Sequence, residues 1–144
     1  MDLRKLLVVA PIAVLTMAAC TDPTGDDLTA TLEGERVVGG GVADIEINSD
    51  RTELCWDIRG LVGTVKGEVT AMHIHAGAAG DVGPVVVEFI SGNEGCQEVS
   101  PGGITESALR NIAAEPADFY VDVHSDRHPD GAVRGQLELQ EGGA

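Results

Sequence analysis

Alternating apolar and polar side chains mark the most regular part of the chain. In residues 42–48 every second side chain is apolar, at Ala43, Ile45 and Ile47, and polar residues stand between them. This period of two predicts a half-buried β-strand. A polar turn at residues 48–51 separates it from residues 53–58, which alternate in the same way. The two segments therefore predict a β-hairpin.

Further strand signals are distributed over most of the chain. Apolar segments bounded by Gly, Pro, Asn or Asp predict strands at residues 28–33, 69–75, 85–90, 119–124 and 132–139. Residues 107–114 predict one short helix, because Thr105 can cap it, Glu106 suits its first turn and Pro116 follows it. Together these elements predict an all-β fold, an antiparallel Greek-key β-sandwich of about 7–8 strands with one short helix.

The beginning of the chain predicts export. Arg4 and Lys5 precede a 14-residue apolar run over residues 6–19, which is interrupted by Pro11 and too short to span a bilayer. Such a run is typical of a signal peptide. Its last residues, LTMAAC (15–20), resemble the lipobox of bacterial lipoproteins. That resemblance implies cleavage before Cys20 and lipidation of its thiol; an ordinary secretory signal followed by an unrelated cysteine is the alternative.

These features predict three parts in the chain. Residues 1–19 form a lipoprotein signal peptide, residues 20–27 the lipidated cysteine with a polar, flexible tether, and residues 28–141 the folded domain. The predicted location is the cell envelope, where a lipid holds the domain to a membrane and the domain itself lies outside the cytoplasm. Envelope proteins are the expected partners.

The cysteine count agrees with an oxidising compartment. If Cys20 carries a lipid, Cys55 and Cys96 remain as one pair, for which a disulfide is the usual state outside the cytoplasm. Closing this 42-residue loop (96 − 55 + 1) stabilises a fold by about 4 kcal/mol in the chain-entropy description. Metal ligation by the two thiols is the alternative, but the close Cys-x-x-Cys spacing of structural zinc sites is absent.

Charge and composition exclude some classes of function. The chain has 24 acidic and 9 basic side chains, a formal net charge of -15, and 3% aromatic residues. Such a chain repels phosphate backbones and offers little surface for base stacking, so we expect no nucleic-acid partner. None of the serines stands in a Gly-x-Ser-x-Gly motif. We therefore assign no catalytic residue, and whether the protein is an enzyme stays open.

Two longer motifs resemble a known family. Residues 72–87, MHIHAGAAGDVGPVVV, look like the HIHxGxxGxxGPVVV signature of the CHRD domain, which is named from chordin and occurs in bacterial exported proteins. Residues 119–125, FYVDVHS, and 129–137, PDGAVRGQL, resemble the end of that domain. The resemblance covers residues 28 to 139. It implies a β-sandwich placed outside the cell, without defining a biochemical activity.

The histidines within these motifs form a candidate metal site. On a strand His73 and His75 project from one face, and Met72 and Ile74 project into the core. In the second motif His124 shares a face with Tyr120 and Asp122, opposite two core valines. If the two strands are neighbours, His73, His75 and His124 converge, and three imidazoles suit copper or zinc.

The sequence offers candidates for a fourth metal ligand, and it also leaves open a role for the histidines other than metal binding. His128 and Asp122 are the candidates for a fourth ligand or a supporting partner. The alternative is that the histidines only hydrogen-bond to carboxylates or backbone carbonyls and so tie loops to strands.

The histidine pattern is also similar to that of copper-zinc superoxide dismutases, whose β-sandwich carries a His-x-His strand and a later strand histidine as copper ligands. The chain has only 4 histidines. The bridging histidine and the dedicated zinc histidines of that family therefore have no counterpart, and a bimetallic dismutase site is not predicted.

Two functions follow from these observations. The first is a lipid-anchored recognition or scaffold domain at the cell envelope. The second is an envelope protein that binds one copper or zinc ion through the three-histidine site, for storage, delivery or redox protection.

Overall fold

The computed structural model of the chain describes residues 25–34, 37–61, 65 and 67–140. Within these residues there are nine strands, one α-helix and one 3-10 turn. The strands are β1 (Asp26–Glu33), β2 (Gly40–Ile47), β3 (Glu53–Arg59), β4 (Val69–Ala76), β5 (Val85–Glu88), β6 (Glu94–Glu98), β7 (Phe119–Ser125), β8 (His128–Gln136) and β9 (Glu138–Leu139). The helix, α1, spans Glu106–Ala114, and the 3-10 turn Pro116–Asp118 follows it. The predicted all-β fold with one short helix is confirmed.

The predicted signal peptide and Cys20 lie outside the described residues, as does most of the tether.

The strands form one curled antiparallel sheet in the order β5-β4-β7-β8-β1-β2-β3-β6, with β9 paired to β1. One half of the sheet consists of β1, β2, β3 and β6, and the other of β4, β5, β7 and β8. The halves join between β1 and β8, where Glu33 pairs with Arg134. Close to this join Gly135 packs on the backbone of β1, and a Cβ there would overlap the carbonyl oxygen of Thr31. The connections β3–β4, β5–β6 and β6–β7 cross between the halves.

Both halves cover a single hydrophobic core, which makes the curled sheet a β-sandwich. Along β1, β2 and β3 the inward-facing positions alternate as the sequence pattern predicts. Each large aliphatic side chain removed from water here contributes about 1.5–3 kcal/mol. The buried strand residues include Leu28, Ala30, Leu32, Ala43, Ile45, Ile47, Leu54, Trp56, Ile58, Met72, Ile74, Val121, Val123 and Val133.

The helix closes one side of the core. Thr105 is its N-cap, and the Thr105 side chain accepts a hydrogen bond of 3.1 Å from the Ala108 N–H. Leu109 and Ile112 are fully buried, so the helix contributes its apolar side to the core. The helix ends at Ala114, and Glu115 is its C-cap before Pro116, which confirms the predicted segment to within one residue.

One strand was not predicted. Strand β6 has the sequence EGCQE, which contains no alternating apolar side chains because both of its faces are largely solvated. Backbone pairing with β3 and the disulfide between Cys55 and Cys96 hold it in the sheet. The two cysteines are direct cross-strand partners, so the predicted pairing is present in the structure.

Several strand boundaries differ from the sequence expectation by one or two residues, and the start of β8 differs by four. The strand predicted at residues 132–139 already begins at His128, because its first residues pair with the end of β7 despite their polarity, and it is divided before β9. The strand predicted to extend to Ile90 ends at Glu88.

Candidate metal centre

The two motif strands that carry the histidines are neighbours. Strands β4 and β7 pair antiparallel, with His73 opposite Asp122 and His75 opposite Tyr120. Met72 and Ile74 on β4 belong to the core, as expected for side chains that alternate with His73 and His75. The histidines consequently lie on the other face of the same two strands, as the sequence predicts.

Regular strand pairing brings the third histidine into reach. The register that places Asp122 opposite His73 continues without interruption to Ala71, whose partner is His124, so His124 is the diagonal neighbour of His73 on the same face. The His124 ring then lies edge to face with the His73 ring, with centroids 5.0 Å apart. The centroids of His73 and His75 are 5.5 Å apart, and those of His75 and His124 are 6.4 Å apart. The three rings thus form one cluster.

The cluster is compact enough to approach metal coordination. One ring nitrogen from each of His73, His75 and His124 lies within 4.8 Å of the other two. Nitrogens bound tetrahedrally to one zinc ion at about 2.0–2.1 Å are roughly 3.4 Å from one another. Small rotations of the side chains are therefore sufficient to bring the three nitrogens onto a shared ion.

Each of the three histidines has one buried ring nitrogen without a hydrogen-bond partner. These atoms are His73 Nδ1, His75 Nε2 and His124 Nε2. Buried polar atoms are nearly always paired, and leaving one unpaired costs about 1–3 kcal/mol. Three such atoms in one cluster are available to a ligand.

Backbone carbonyls fix the tautomers of two histidines. The Nδ1 atom of His75 donates to the Gly83 carbonyl at 2.9 Å, and that of His124 donates to the Pro129 carbonyl at 2.9 Å. A carbonyl oxygen can only accept, so each Nδ1 carries the hydrogen and each neutral ring has its lone pair on Nε2. Metal-binding histidines typically use their second nitrogen in this way.

The surroundings also favour the uncharged form of His73. Burial, followed by the proximity of His124 and His75, lowers the pKa of His73 below its usual value near 6.5. Only a neutral imidazole has a lone pair available for a metal ion. His73 is therefore kept in the form that can bind a metal.

Asp122 stands beside the cluster. Its Oδ2 atom is 3.7 Å from His124 Nε2, and its Oδ1 atom is buried without a hydrogen-bond partner. Burial raises the pKa of Asp122, although the neighbouring histidines and Arg134 oppose this effect. The missing side chain of Gly131 leaves room for the carboxylate, since a Cβ there would lie 2.9 Å from Oδ1.

The two candidates for a fourth ligand differ in position. Asp122 adjoins the three-histidine cluster, whereas His128 is not part of the group of converging ring nitrogens. The backbone N–H of His128, at the start of β8, donates to Ser125 Oγ. Both ligand assignments remain predictions.

The cluster is accessible through a cleft of about 320 Å³. His75 and His124 form part of its wall, so a bound ion would have an open side. Arg134 also lines the cleft, and its guanidinium carbon lies 3.6 Å from the centre of the Tyr120 ring. A larger concavity of about 650 Å³ lies on the outer face of the other half of the sheet and contains no histidine.

Sequence reasoning placed Tyr120 on the histidine face without a role, and it missed the carbonyls of Gly83 and Pro129. Backbone acceptors leave no side-chain signal, although the glycine at position 83 of the first motif marks a place where backbones approach closely.

Comparison with known proteins identifies one family. Residues 25–137 match the family model described as the CHRD domain, in agreement with the two sequence motifs. Searches of curated proteins and of solved structures find no match. Among the described residues, no helix has the length and apolar character needed to cross a membrane.

Proposed function

The chain belongs to the CHRD domain family, and we propose that it is an exported module that binds one copper or zinc ion through His73, His75 and His124. The observation that supports this proposal is the convergence of three histidine rings, each of which has one buried nitrogen without a hydrogen-bond partner. The family accounts for the fold and the extracellular setting, and the histidine cluster accounts for the chemistry.

A purely structural role for the histidines fits these contacts less well. Histidines that only tie loops to strands are expected to satisfy both ring nitrogens, because unpaired buried nitrogens destabilise the fold. Here His75 and His124 each bind a loop carbonyl with one nitrogen and leave the other one free. One ring nitrogen of each of the three histidines also lies within 4.8 Å of the other two, which is the kind of arrangement that a metal ion requires.

The ligand set suits copper or zinc. Imidazole nitrogen is a good ligand for both ions, and at equal geometry Cu(II) binds nitrogen ligands more tightly than Zn(II). Asp122 is the candidate for a fourth ligand or a hydrogen-bond partner of the centre. With an open side towards the cleft, a bound ion would supply a Lewis-acid position or, as copper, a one-electron couple. Storage, delivery or redox protection at the envelope are consistent roles.

Anchoring is a further part of the proposal. Lipidation at Cys20 and a polar tether would hold the domain at a membrane surface outside the cytoplasm. The recognition or scaffold role predicted from the sequence is the second proposal. No group of described side chains supports it in the way that the histidine cluster supports metal binding.

Metal analysis of untagged protein tests the proposed function. We expect the exported chain, dialysed against Cu(II) or Zn(II) and then against buffer, to retain about one ion per chain. His73→Ala and His124→Ala should abolish this binding. His128→Ala is the matched control and should retain the ion, because His128 is outside the cluster. Wild-type protein that binds neither ion at micromolar concentration would overturn the proposal.

A further inference from the structure

The loop between β4 and β5 folds back closely on the end of β4. The Ala76 N–H donates to the Pro84 carbonyl at 3.0 Å. At Gly83 the backbones approach so closely that a Cβ would overlap the carbonyl oxygen of Ala76. The Gly83 peptide is therefore held at a defined distance from the His75 side chain on the same strand end.

Two side chains of the histidine face hold the Gly83 peptide. Its N–H donates to the Tyr120 hydroxyl at 3.2 Å, and its carbonyl accepts the hydrogen bond from His75 Nδ1 at 2.9 Å. Tyr120 is only 2% exposed. The Tyr120 and His75 rings are stacked with centroids 4.9 Å apart and an angle of 5° between their planes. Tyr120 thus contacts both the imidazole ring and the peptide that fixes its tautomer.

Strand β8 supports this arrangement from the other side of β7. Arg134 lies over the Tyr120 ring, and its Nη1 atom donates to the Asp81 carbonyl at 2.8 Å. Gln136 Nε2 donates to the Gly77 carbonyl at 2.7 Å. The loop is consequently fastened near its beginning by Gln136, in its middle by Arg134, and at its end by Tyr120.

From these contacts we infer that Tyr120 is a positioning residue of the metal centre. Its hydroxyl holds the Gly83 peptide in the place where the Gly83 carbonyl keeps the hydrogen of His75 on Nδ1, which leaves the Nε2 lone pair directed at the ion. This inference rests on the proposed function, in which His75 is a ligand. Hydrogen-bond partners of metal-binding histidines typically change metal affinity by about 10–100-fold when they are removed.

Tyr120→Phe isolates the hydroxyl. The phenyl ring can still fill the buried position and stack on His75, whereas the acceptor for the Gly83 N–H is lost. We expect the metal-free variant to show a mixture of His75 tautomers in place of the Nδ1–H form. We also expect Cu(II) to bind at least about tenfold more weakly to the variant than to the wild type.

Long-range proton–nitrogen NMR correlations of the imidazole rings measure the tautomers in metal-free, full-length protein. His124 is the internal control, because its Nδ1 donates to Pro129 and its tautomer should not change. Gln136→Met is the matched variant, because it removes the hydrogen bond to the Gly77 carbonyl of the same loop without affecting a contact of Gly83. It should leave the His75 tautomer unchanged. Backbone amide spectra confirm that each variant is folded.

The outcomes separate this inference from the proposed function. An unchanged His75 tautomer in Tyr120→Phe overturns the positioning role, and so does a changed tautomer with unchanged Cu(II) affinity. Failure of the wild type to bind Cu(II) overturns the proposed function itself, whatever tautomers are observed.

Discussion

His73 and His124 meet edge to face on neighbouring strands, with ring centroids 5.0 Å apart. The contact follows from the regular pairing of β4 with β7, in which His124 is opposite Ala71 and Asp122 is opposite His73. Burial, followed by the proximity of His124, lowers the pKa of His73. Protonation of His73 in the folded protein is therefore disfavoured.

The pH dependence of stability should reflect His73. Because its pKa in the folded state is lowered below the usual value near 6.5, the unfolded chain takes up a proton more readily than the folded protein. The free energy of unfolding keeps its full value with respect to His73 above about pH 6.5. It decreases as the pH falls from there towards the lowered pKa. Urea unfolding of metal-free protein between pH 7.5 and 5 should show the decline. In His73→Phe the free energy of unfolding should fall less over this pH range, whereas in the control His128→Gln it should fall as in the wild type. An equal fall in all three proteins would contradict the prediction.

Asp122→Asn should affect stability and metal binding in opposite directions. Burial raises the pKa of Asp122, so its ionised form reduces stability as the pH rises through that pKa, and an amide removes this effect. The metal-free variant should therefore be at least as stable as wild type at pH 7 in urea unfolding. Copper affinity should fall by about 10–100-fold because an anionic neighbour of the ion is lost.

Asp57→Asn, on the other half of the sheet, is the matched control and should leave copper affinity unchanged. A variant of Asp122 that unfolds more readily and binds copper normally would disprove the argument.

Removal of the disulfide should lower stability without removing the metal centre. Replacing Cys55 and Cys96 together by serine opens a 42-residue loop (41 + 1) and should decrease the free energy of unfolding by up to about 4 kcal/mol. Urea unfolding under oxidising conditions measures this loss. The variant should still bind one copper ion below its unfolding transition, since both cysteines are on β3 and β6 and the candidate ligands are on β4 and β7.

Cys20 should determine membrane attachment. In a bacterial host that processes lipoproteins, the full-length chain should partition into the detergent phase, because the lipid supplies the apolar surface. Cys20→Ser should move the exported protein into the aqueous phase, while Thr21→Ser should leave it in the detergent phase. Recovery of the wild-type chain from the aqueous phase would contradict lipidation.

Most of the fold could be predicted because apolar alternation and turn residues mark the strands locally. Strands β2 and β3 follow the predicted segments within two residues at each end. Strand β6 could not be recognised in this way, because Glu94–Glu98 pairs through its backbone and has no apolar face. The disulfide expected between Cys55 and Cys96 was the one sequence feature that placed this segment near β3.

The candidate site was predictable only in part. The spacing of His73 and His75 defines one strand face, because side chains alternate along any strand. The approach of His124 depends on the pairing of β4 with β7, which local sequence does not encode. Likewise, the carbonyl of Gly83 becomes an acceptor for His75 only after the loop has folded back on Ala76.

The disulfide and the three histidines occupy different parts of the curled sheet. The disulfide belongs to the half formed by β1, β2, β3 and β6, and His73, His75 and His124 belong to the other half, outside the hydrophobic core. A relative that had lost the three histidines during evolution would therefore retain the core, the disulfide and the same β-sandwich. The histidine face can therefore be altered while the core and the disulfide stay intact, so a form without the three histidines should serve as a folded reference for every metal-binding measurement.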